Sequence, residues 1–260
     1  MDLTTRAQLL DELNRTTRNH RLVLAFVGPA SSGKDSAIRA LFGIDFGEID
    51  PIPGSTSEVR VIEAPHQPSL LILNAPGFGD HRSEVEAKAR QIIDQIDIAV
   101  FVMNCEGGAT RDEYNDLQSI RQRAEGLCPT LVCLNKLDLI PLEEREHFIT
   151  ETVRQLNADP NDVVACAFDP LPQLSPEPLG LESVHRWILK NLESHGKALV
   201  YARSMKDRHD AALLIIERAA TKAAAAGAVP VPGVDLAMLT LVQARLVQDL
   251  AHLFGRSVSN

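Results

Sequence analysis

Two polar segments of the sequence have residue types and a spacing suited to binding a phosphorylated purine. Residues 28–34 (GPASSGK) supply glycines that let the backbone wrap closely round a phosphate, followed by a lysine. Residues 135–138 (NKLD) supply a carboxylate, Asp138, that can accept two hydrogen bonds from the N1–H and the exocyclic amine of guanine, which adenine does not offer. Asn135 would hold N7, and the stem of Lys136 would lie along the ring. In this order the two segments predict a guanine-nucleotide site.

Each segment directly follows an apolar run. Residues 22–27 (LVLAFV) predict a strand buried on both faces, and residues 36–42 predict a helix after the glycine-rich loop. Residues 130–134 predict a strand that leads into NKLD. A flexible surface loop and an exposed polar turn are the alternatives, but the strand–loop–helix context favours phosphate binding. The candidate nucleotide-binding residues are Gly28, Ser31, Ser32, Gly33, Lys34, Asp35, Ser36, Asn135, Lys136 and Asp138.

Strands and helices alternate throughout residues 22–193. Further strands are predicted at 59–64, 70–73, 98–103 and 163–168, and further helices at 82–96, 110–125, 143–156 and 181–193. This alternation is typical of a parallel sheet covered by helices. We therefore predict an α/β fold of the P-loop NTPase type, with three layers and a mostly parallel central sheet.

The two ends of the chain have a different pattern. Residues 2–18 predict an amphipathic helix. Residues 198–226 predict a second long helix, residues 229–233 (VPVPG) break it, and Asp235 caps a further helix that runs to about residue 253. The predicted organisation is an N-terminal helix (1–20), a nucleotide-binding domain (21–195) and an α-helical hairpin as a C-terminal extension (196–260).

The net charge, the cysteines and the N-terminus indicate which partners and which cellular compartment to expect. The net charge of the 260 residues is −9, and an acidic surface repels phosphate backbones, so we expect no nucleic-acid partner. The four cysteines lack metal-ligand spacing and are expected to be free thiols in a reducing compartment. The polar N-terminus has no apolar leader, which favours a cytoplasmic location with reversible membrane contact left open.

On these residues, segment 22–193 resembles the GTPase domain of the translation-factor-related class, near the Era-like, dynamin-related and immunity-related GTPases. Residues 53–56 (PGST) resemble the family's second motif, which implies that Thr56 meets Mg²⁺ and the γ-phosphate. Residues 74–77 (NAPG) resemble the third motif, which implies that the Gly77 backbone senses the γ-phosphate.

The resemblance also implies the remaining roles. Cys166-Ala167 resembles the fifth motif, whose backbone N–H would contact the guanine O6. Lys34 would bridge the β- and γ-phosphates and act with Thr56 and Gly77 in GTP hydrolysis. GTP or GDP and Mg²⁺ are the implied ligands.

Two residues depart from the family pattern, and both lie at the metal. Relatives carry Ser or Thr where this chain has Asp35, and Asp where it has Asn74. Compared with relatives, the carboxylate lies at position 35 instead of position 74, and the formal charge of the pair is unchanged. Because hard cations prefer carboxylates, we expect Asp35, Thr56 and Asn74 to form the metal site. The alternative is a degenerate site, since a carboxylate beside the β-phosphate is repelled whenever the metal is absent.

A third departure concerns hydrolysis. Phe78 stands where many small GTPases have a water-orienting glutamine, and an apolar side chain cannot position water. We therefore expect slow turnover that draws on a homodimer or a stimulating protein partner. Asp80, His81 and Arg82 are candidate polar helpers, although a solvated, mobile switch loop is the favoured explanation of these residues.

The C-terminal extension resembles, less specifically, the Ala-rich helical tails that follow some uncharacterised bacterial GTPase domains. The matching stretch is 223–255, and a stripe of leucines on its second helix would pack on protein or contact a membrane peripherally. Mid-helix charges argue against a bilayer span. The sequence thus predicts a guanine-nucleotide-binding switch with slow GTPase activity. The alternatives are a pseudo-GTPase scaffold that works through its tail, with contact to a membrane surface left open, and a membrane-remodelling protein of the dynamin type.

Overall fold

The computed structural model describes residues 21–45, 60–64, 67–76, 96–107, 109–123, 128–192, 195–227 and 234–256. The chain divides into two compact units, one of residues 22–192 and one that contains residues 193–260. The predicted helices at 2–18 and 82–96 lie outside the described residues.

The first unit is built on a six-stranded sheet. Its strands are β1 (Leu22–Gly28), β2 (Arg60–Ala64), β3 (Gln67–Pro76), β4 (Ile98–Asn104), β5 (Thr130–Asn135) and β6 (Val163–Ala165). They lie in the order β2-β3-β1-β4-β5-β6, in which β2 pairs antiparallel with β3 and all other neighbours are parallel. The predicted α/β fold with a mostly parallel sheet is confirmed.

Four described helices belong to this unit: α1 (Lys34–Phe42), α2 (Arg111–Arg123), α3 (Arg145–Gln155) and α4 (Leu181–Asn191). Alternate residues of the central strands face opposite sides of the sheet, and both sides are buried. On one side Val23, Phe101 and Val132 pack in a cluster with Leu117 of α2. On the other side the ring of Phe26 meets that of Phe42 of α1 edge to face, with centroids 6.2 Å apart. Helices therefore cover both faces, which gives the three predicted layers.

The sheet topology places the functional segments. In a parallel sheet the loops at the carboxyl ends of the strands meet at one edge, where open α/β sheets bind their ligands. Gly28 ends β1, Asn104 ends β4 and Asn135 ends β5, and Asn104 is the register partner of Asn135. The sequence prediction for β6 was too long, since the strand ends at Ala165 and Ala167 instead bridges to Leu179.

The second unit is helical, but the two predicted helices are three: α5 (His195–Ser204), α6 (Arg208–Gly227) and α7 (Val234–Leu253). The break before α6 comes from Asp207, whose carboxylate accepts hydrogen bonds from the backbone N–H groups of His209 (2.7 Å) and Asp210 (3.1 Å). This is an N-cap, which fixes where a helix starts. Helices α6 and α7 form the predicted hairpin, and Arg208 Nη1 donates to the carbonyl oxygen of Leu253 at 2.7 Å. Among the described helices, none combines the length and apolar character that a bilayer crossing needs.

Candidate functional site

The loop between β1 and α1 requires glycine at both ends. Gly28 (φ 147°) and Gly33 (φ 97°) adopt positive φ, and a Cβ on Gly28 would lie 2.1 Å from the carbonyl oxygen of Val102 in β4. A Cβ on Gly33 would lie 2.1 Å from Nδ2 of Asn135. No side chain fits at either position, so the loop backbone stays close to β4 and β5. The N-terminus of α1 follows directly, with backbone N–H groups available to an anion.

Lys34 lies over this loop and is held by it. Its Nζ donates to the carbonyl oxygens of Gly28 and Pro29, both at 2.8 Å, and the residue is 4% exposed. Burial lowers the pKa of Lys34 to about 8, while the neighbouring Asp35 carboxylate acts in the opposite direction. A buried cation of this kind is suited to binding phosphate oxygens, because water does not screen it well.

The two residues that depart from the family pattern contact each other. Asn74 ends up beside Asp35 because β3 pairs with β1, where Asn74 faces Phe26 in register. Its Nδ2 donates a short hydrogen bond to Oδ1 of Asp35. Asn74 is 2% exposed, and its other polar atom, Oδ1, has no hydrogen-bond partner among the described residues.

A buried oxygen without a partner is costly, because it has lost water and gained nothing. Here it lies on a side chain that touches a carboxylate, so the pair offers amide and carboxylate oxygens, the donor set of a hard divalent cation. The residues therefore fit Mg²⁺. The third predicted metal ligand, Thr56, lies outside the described residues, as does Gly77.

Asn135 joins the glycine-rich loop to the segment that is predicted to read the base. Its Nδ2 donates to the carbonyl oxygen of Ser32 at 2.8 Å, and its Oδ1 accepts from the backbone N–H of Phe168 at 3.1 Å. The residue is 3% exposed. One side chain thus fixes three segments that are remote in sequence, which brings the two predicted motifs into one site.

The predicted guanine reader, Asp138, lies next to this link. It is 7% exposed, and its Oδ2 accepts from the backbone N–H of Leu171 at 3.0 Å. A carboxylate has further lone pairs, so the N1–H and amine of guanine can still be accepted. Lys136 precedes it at φ 65°, an unusual conformation for a residue with a side chain.

The predicted contact of Cys166-Ala167 with guanine O6 meets an obstacle. The N–H of Cys166 donates to the carbonyl oxygen of Leu134 at 2.8 Å, and that of Ala167 donates to the carbonyl oxygen of Leu179 at 3.1 Å. Both groups are already used, so a contact with O6 requires one of them to leave its carbonyl. The next N–H, that of Phe168, points at the Asn135 side chain instead.

The remaining predicted loop residues lie close to this site. Ser32 is fully buried, and its Oγ has no hydrogen-bond partner within the described part of the chain. Ser31 takes φ 59° at the turn of the loop, and Ser36 is half-buried in the first turn of α1. The four cysteines are free thiols as predicted, and burial raises the pKa of Cys105 to about 12.

Sequence reasoning missed Asn104 and Glu106. The Glu106 carboxylate lies 3.0 Å from Nζ of Lys136 and 2.7 Å from Nδ2 of Asn104. Only their position could have identified them, since Asn104 ends β4 and Glu106 follows it, and β4 lies between the two strands that carry the motifs.

A glycine-rich loop between a buried strand and a helix, tied through one asparagine to the polar segment after β5, is the arrangement of the P-loop GTPase fold. Residues 23–136 match the family described as 50S ribosome-binding GTPase (MMR_HSR1). Over these residues the chain therefore resembles the P-loop GTPases. Residues 194–260 match a domain of unknown function, DUF697.

Two curated GTPases are similar to part of this chain. The probable tRNA modification GTPase MnmE of Cyanidioschyzon merolae is 27% identical over 154 residues, which cover 56% of this chain and 32% of that protein. GTPase Der of Protochlamydia amoebophila is 26% identical over 132 residues, 48% of this chain and 26% of that protein. The chain thus spans a third or less of the length of these relatives.

One solved structure is similar over a longer stretch. A chain of an oligomerised bacterial dynamin pair, in a study of membrane sensing and tethering, matches 85% of this chain and 45% of its own length with a TM-score of 0.55. Sequence identity is 13%, so this likeness concerns the fold only.

Proposed function

We propose that this protein binds GTP and GDP together with Mg²⁺ and works as a molecular switch that hydrolyses GTP slowly. The observation that carries the proposal is the hydrogen bond between Asn135 Nδ2 and the carbonyl oxygen of Ser32, which joins the phosphate loop to the guanine-reading segment. The two halves of a nucleotide would bind to the two segments that this bond connects.

The described site residues then have separate roles in binding. The backbone N–H groups at Gly33 and Lys34 and the Lys34 ammonium would hold the phosphates, and Asp138 would accept from the guanine edge. Asp35 and Asn74 would hold Mg²⁺, which would offset negative charge on the phosphate oxygens. Thr56 and Gly77 complete the proposal from their sequence motifs alone.

Slow turnover follows from Phe78, because its side chain has no polar atom to orient a water molecule. We propose that a second copy of the chain or a stimulating protein supplies the missing group.

The second candidate is a pseudo-GTPase scaffold, and the specific observation behind it is the hydrogen bond between Asn74 and Asp35. If that bond persists in the working protein, the carboxylate stays occupied by the amide and repels the phosphates. The protein would then act through its helical unit.

The helical unit has a surface suited to a partner. Large apolar side chains are exposed on α6, on α7 and directly after α7, namely Leu213, Ile216, Met238, Leu241, Val247 and Phe254. We propose that residues 223–255 and the adjoining part of α6 contact a protein partner or, peripherally, a membrane. Sedimentation of the full chain with lipid vesicles tests the membrane alternative against the protein-partner alternative, and the Ile216→Ser variant is measured beside wild type.

Titration of nucleotide-stripped protein with fluorescent GDP and GTP analogues, in Mg²⁺ and in EDTA, tests the main proposal. We expect tight binding in Mg²⁺ that GTP displaces and ATP does not, followed by slow phosphate release from GTP. Binding without phosphate release would favour the scaffold, and absence of binding in both buffers would overturn the switch.

A second experiment tests the two interchanged residues, Asp35 and Asn74, at the proposed metal site. The double variant Asp35→Ser, Asn74→Asp restores the family pattern. We expect it to change Mg²⁺ dependence and turnover, whereas unchanged binding and turnover would remove Asp35 from the metal site.

A further inference from the structure

The side chain of Lys136, whose stem is proposed to lie along guanine, is anchored at its charged end. Its Nζ lies 3.0 Å from Oε2 of Glu106, and the two side chains are 34% and 53% exposed. The backbone at Lys136 is fixed as well, because Leu137 N–H donates to the carbonyl oxygen of Cys166 and Leu139 N–H donates to that of Lys136. Both ends of a long flexible side chain are therefore held.

Glu106 is itself oriented before it meets Lys136. Asn104 donates from Nδ2 to Oε2 of Glu106 at 2.7 Å and accepts from the backbone N–H of Glu106 at 2.9 Å. Asn104 is the last residue of β4 and lies opposite Asn135 in register. The hydrogen bond from Asn104, followed by that from Lys136, holds the pKa of the Glu106 carboxyl below its usual range. The Glu106 carboxylate is thus held in its charged form, and Asn104 at the end of β4 fixes its orientation.

We propose that Glu106 is a positioning residue for guanine nucleotide, which acts by fixing the Lys136 side chain in the orientation that covers one face of the base. A lysine has four rotatable bonds, and ordering them when the ligand binds opposes binding. An anchor present before binding removes part of that cost. The inference rests on the proposed guanine-nucleotide site and adds to it a residue that follows β4, a strand that carries neither motif.

The solvent exposure of the Glu106 and Lys136 side chains limits the effect expected from breaking their ion pair. A half-exposed ion pair is weakened by water and salt, so its loss changes an equilibrium constant by a factor of about 5 at most. We expect Glu106→Gln to raise the dissociation rate of a fluorescent GDP analogue by about 3- to 5-fold, because residence time responds more than association to the loss of a positioned contact. At high salt the difference from wild type should shrink.

The decisive comparison is a double-mutant cycle measured on the full chain. If Glu106 acts through Lys136, then Glu106→Gln has no further effect on dissociation in a Lys136→Met background. The matched control is Glu182→Gln, which breaks a pair of the same kind with Arg186 (2.7 Å) on α4 of the same unit. Asn104→Ala removes the orienting contact and should act in the same direction as Glu106→Gln.

The outcomes separate this inference from the proposed function. Wild-type protein that binds the GDP analogue, with Glu106→Gln indistinguishable from it, overturns the role of Glu106 alone. So does a Glu106→Gln effect that survives in the Lys136→Met background. Wild-type protein that binds no guanine nucleotide overturns the proposed function and this role with it.

Discussion

The predicted base-reading end and the predicted metal end of the candidate site differ in how their polar side chains are hydrogen bonded. At the base end Asn135 is hydrogen bonded through both its oxygen and its nitrogen, Asp138 accepts from a backbone N–H, and Lys136 is paired with Glu106. At the metal end Asn74 donates to Asp35, and its buried oxygen has no partner among the described residues. At the predicted base-reading end, these polar side chains are therefore hydrogen bonded or ion paired within the protein. At the predicted metal end, one buried oxygen is left to be paired by a ligand.

This difference separates two tasks of a nucleotide site. Base recognition is selective when the protein groups are held in place before the ligand arrives. A cation site has to release its ion, so part of its ligand set is satisfied only when the ion is present. Four variants test this comparison, from the largest expected effect to the smallest.

Gly33→Ala should disrupt the link between the two ends. The added Cβ would lie 2.1 Å from Asn135 Nδ2 at a residue with φ 97°, so loop and side chain must move apart. We expect nucleotide affinity to fall more than about 100-fold and the free energy of unfolding to fall by about 2 kcal/mol. Fluorescent-nucleotide titration and urea unfolding measure the two.

Gly255→Ala is the matched control for that variant. It too has positive φ, 71°, but a Cβ there meets nothing within 4 Å, and it lies in the helical unit. We expect about 1 kcal/mol of destabilisation with unchanged nucleotide affinity. Equal binding loss in both variants would show that the Asn135 link is not what the site depends on.

Asp138→Asn tests the base end on its own. The amide of the new asparagine would present an N–H group to the N1–H and the amine of guanine. The hydrogen bonds that the carboxylate accepts would be lost, and hydrogen-bond donors would face each other. We expect GDP affinity to fall by about 100-fold, because a polar edge is left unpaired. Competition by pyrophosphate against a fluorescent nucleotide serves as the control, and it should be unchanged since the phosphate loop is intact.

Asn74→Asp tests the metal end. It places two carboxylates side by side in a buried position, which without a cation costs about 2 kcal/mol of folding stability through repulsion and desolvation. Thermal unfolding in EDTA and in Mg²⁺ measures this. We expect Mg²⁺ to raise the melting temperature of the variant more than that of wild type, and an equal rise in both would place the ion elsewhere.

Ser32→Ala should have the smallest effect. The Ser32 hydroxyl is buried and lacks a partner among the described residues, so its removal relieves a desolvation cost. We expect the nucleotide-free protein to gain about 1 kcal/mol in the free energy of unfolding, measured in urea. A loss of stability instead would mean that the hydroxyl is hydrogen bonded in solution.

The fold was predictable where one physical cause dominated. Strands β1, β4 and β5 are continuous apolar runs because both faces of the sheet are covered, and their positions were predicted closely. The helix break at Asp207 was missed because a cap is a local hydrogen-bonding device within a polar stretch and leaves no change in apolar periodicity.

The site was predictable in its residue types but not in its contacts. The sequence could not reveal that the N–H of Ala167 bonds to Leu179, because that bridge depends on where the following loop returns. Glu106 was missed for a similar reason, since its partner Lys136 is 30 residues away and meets it only because β4 and β5 are neighbours.

The hydrogen bond from Asn135 to Ser32 also bears on the order of events during folding. Its two residues are 103 positions apart, so closing this contact requires β1, β4 and β5 to have paired side by side. Contacts of such sequence separation form late, because the entropy of closing a long loop is lost before the contact is gained. The glycine-rich loop, although it is encoded early in the chain, reaches its final conformation only after β5 has joined the sheet. Hydrogen exchange during refolding should therefore protect the amides of β1 before the tie to Ser32 is made.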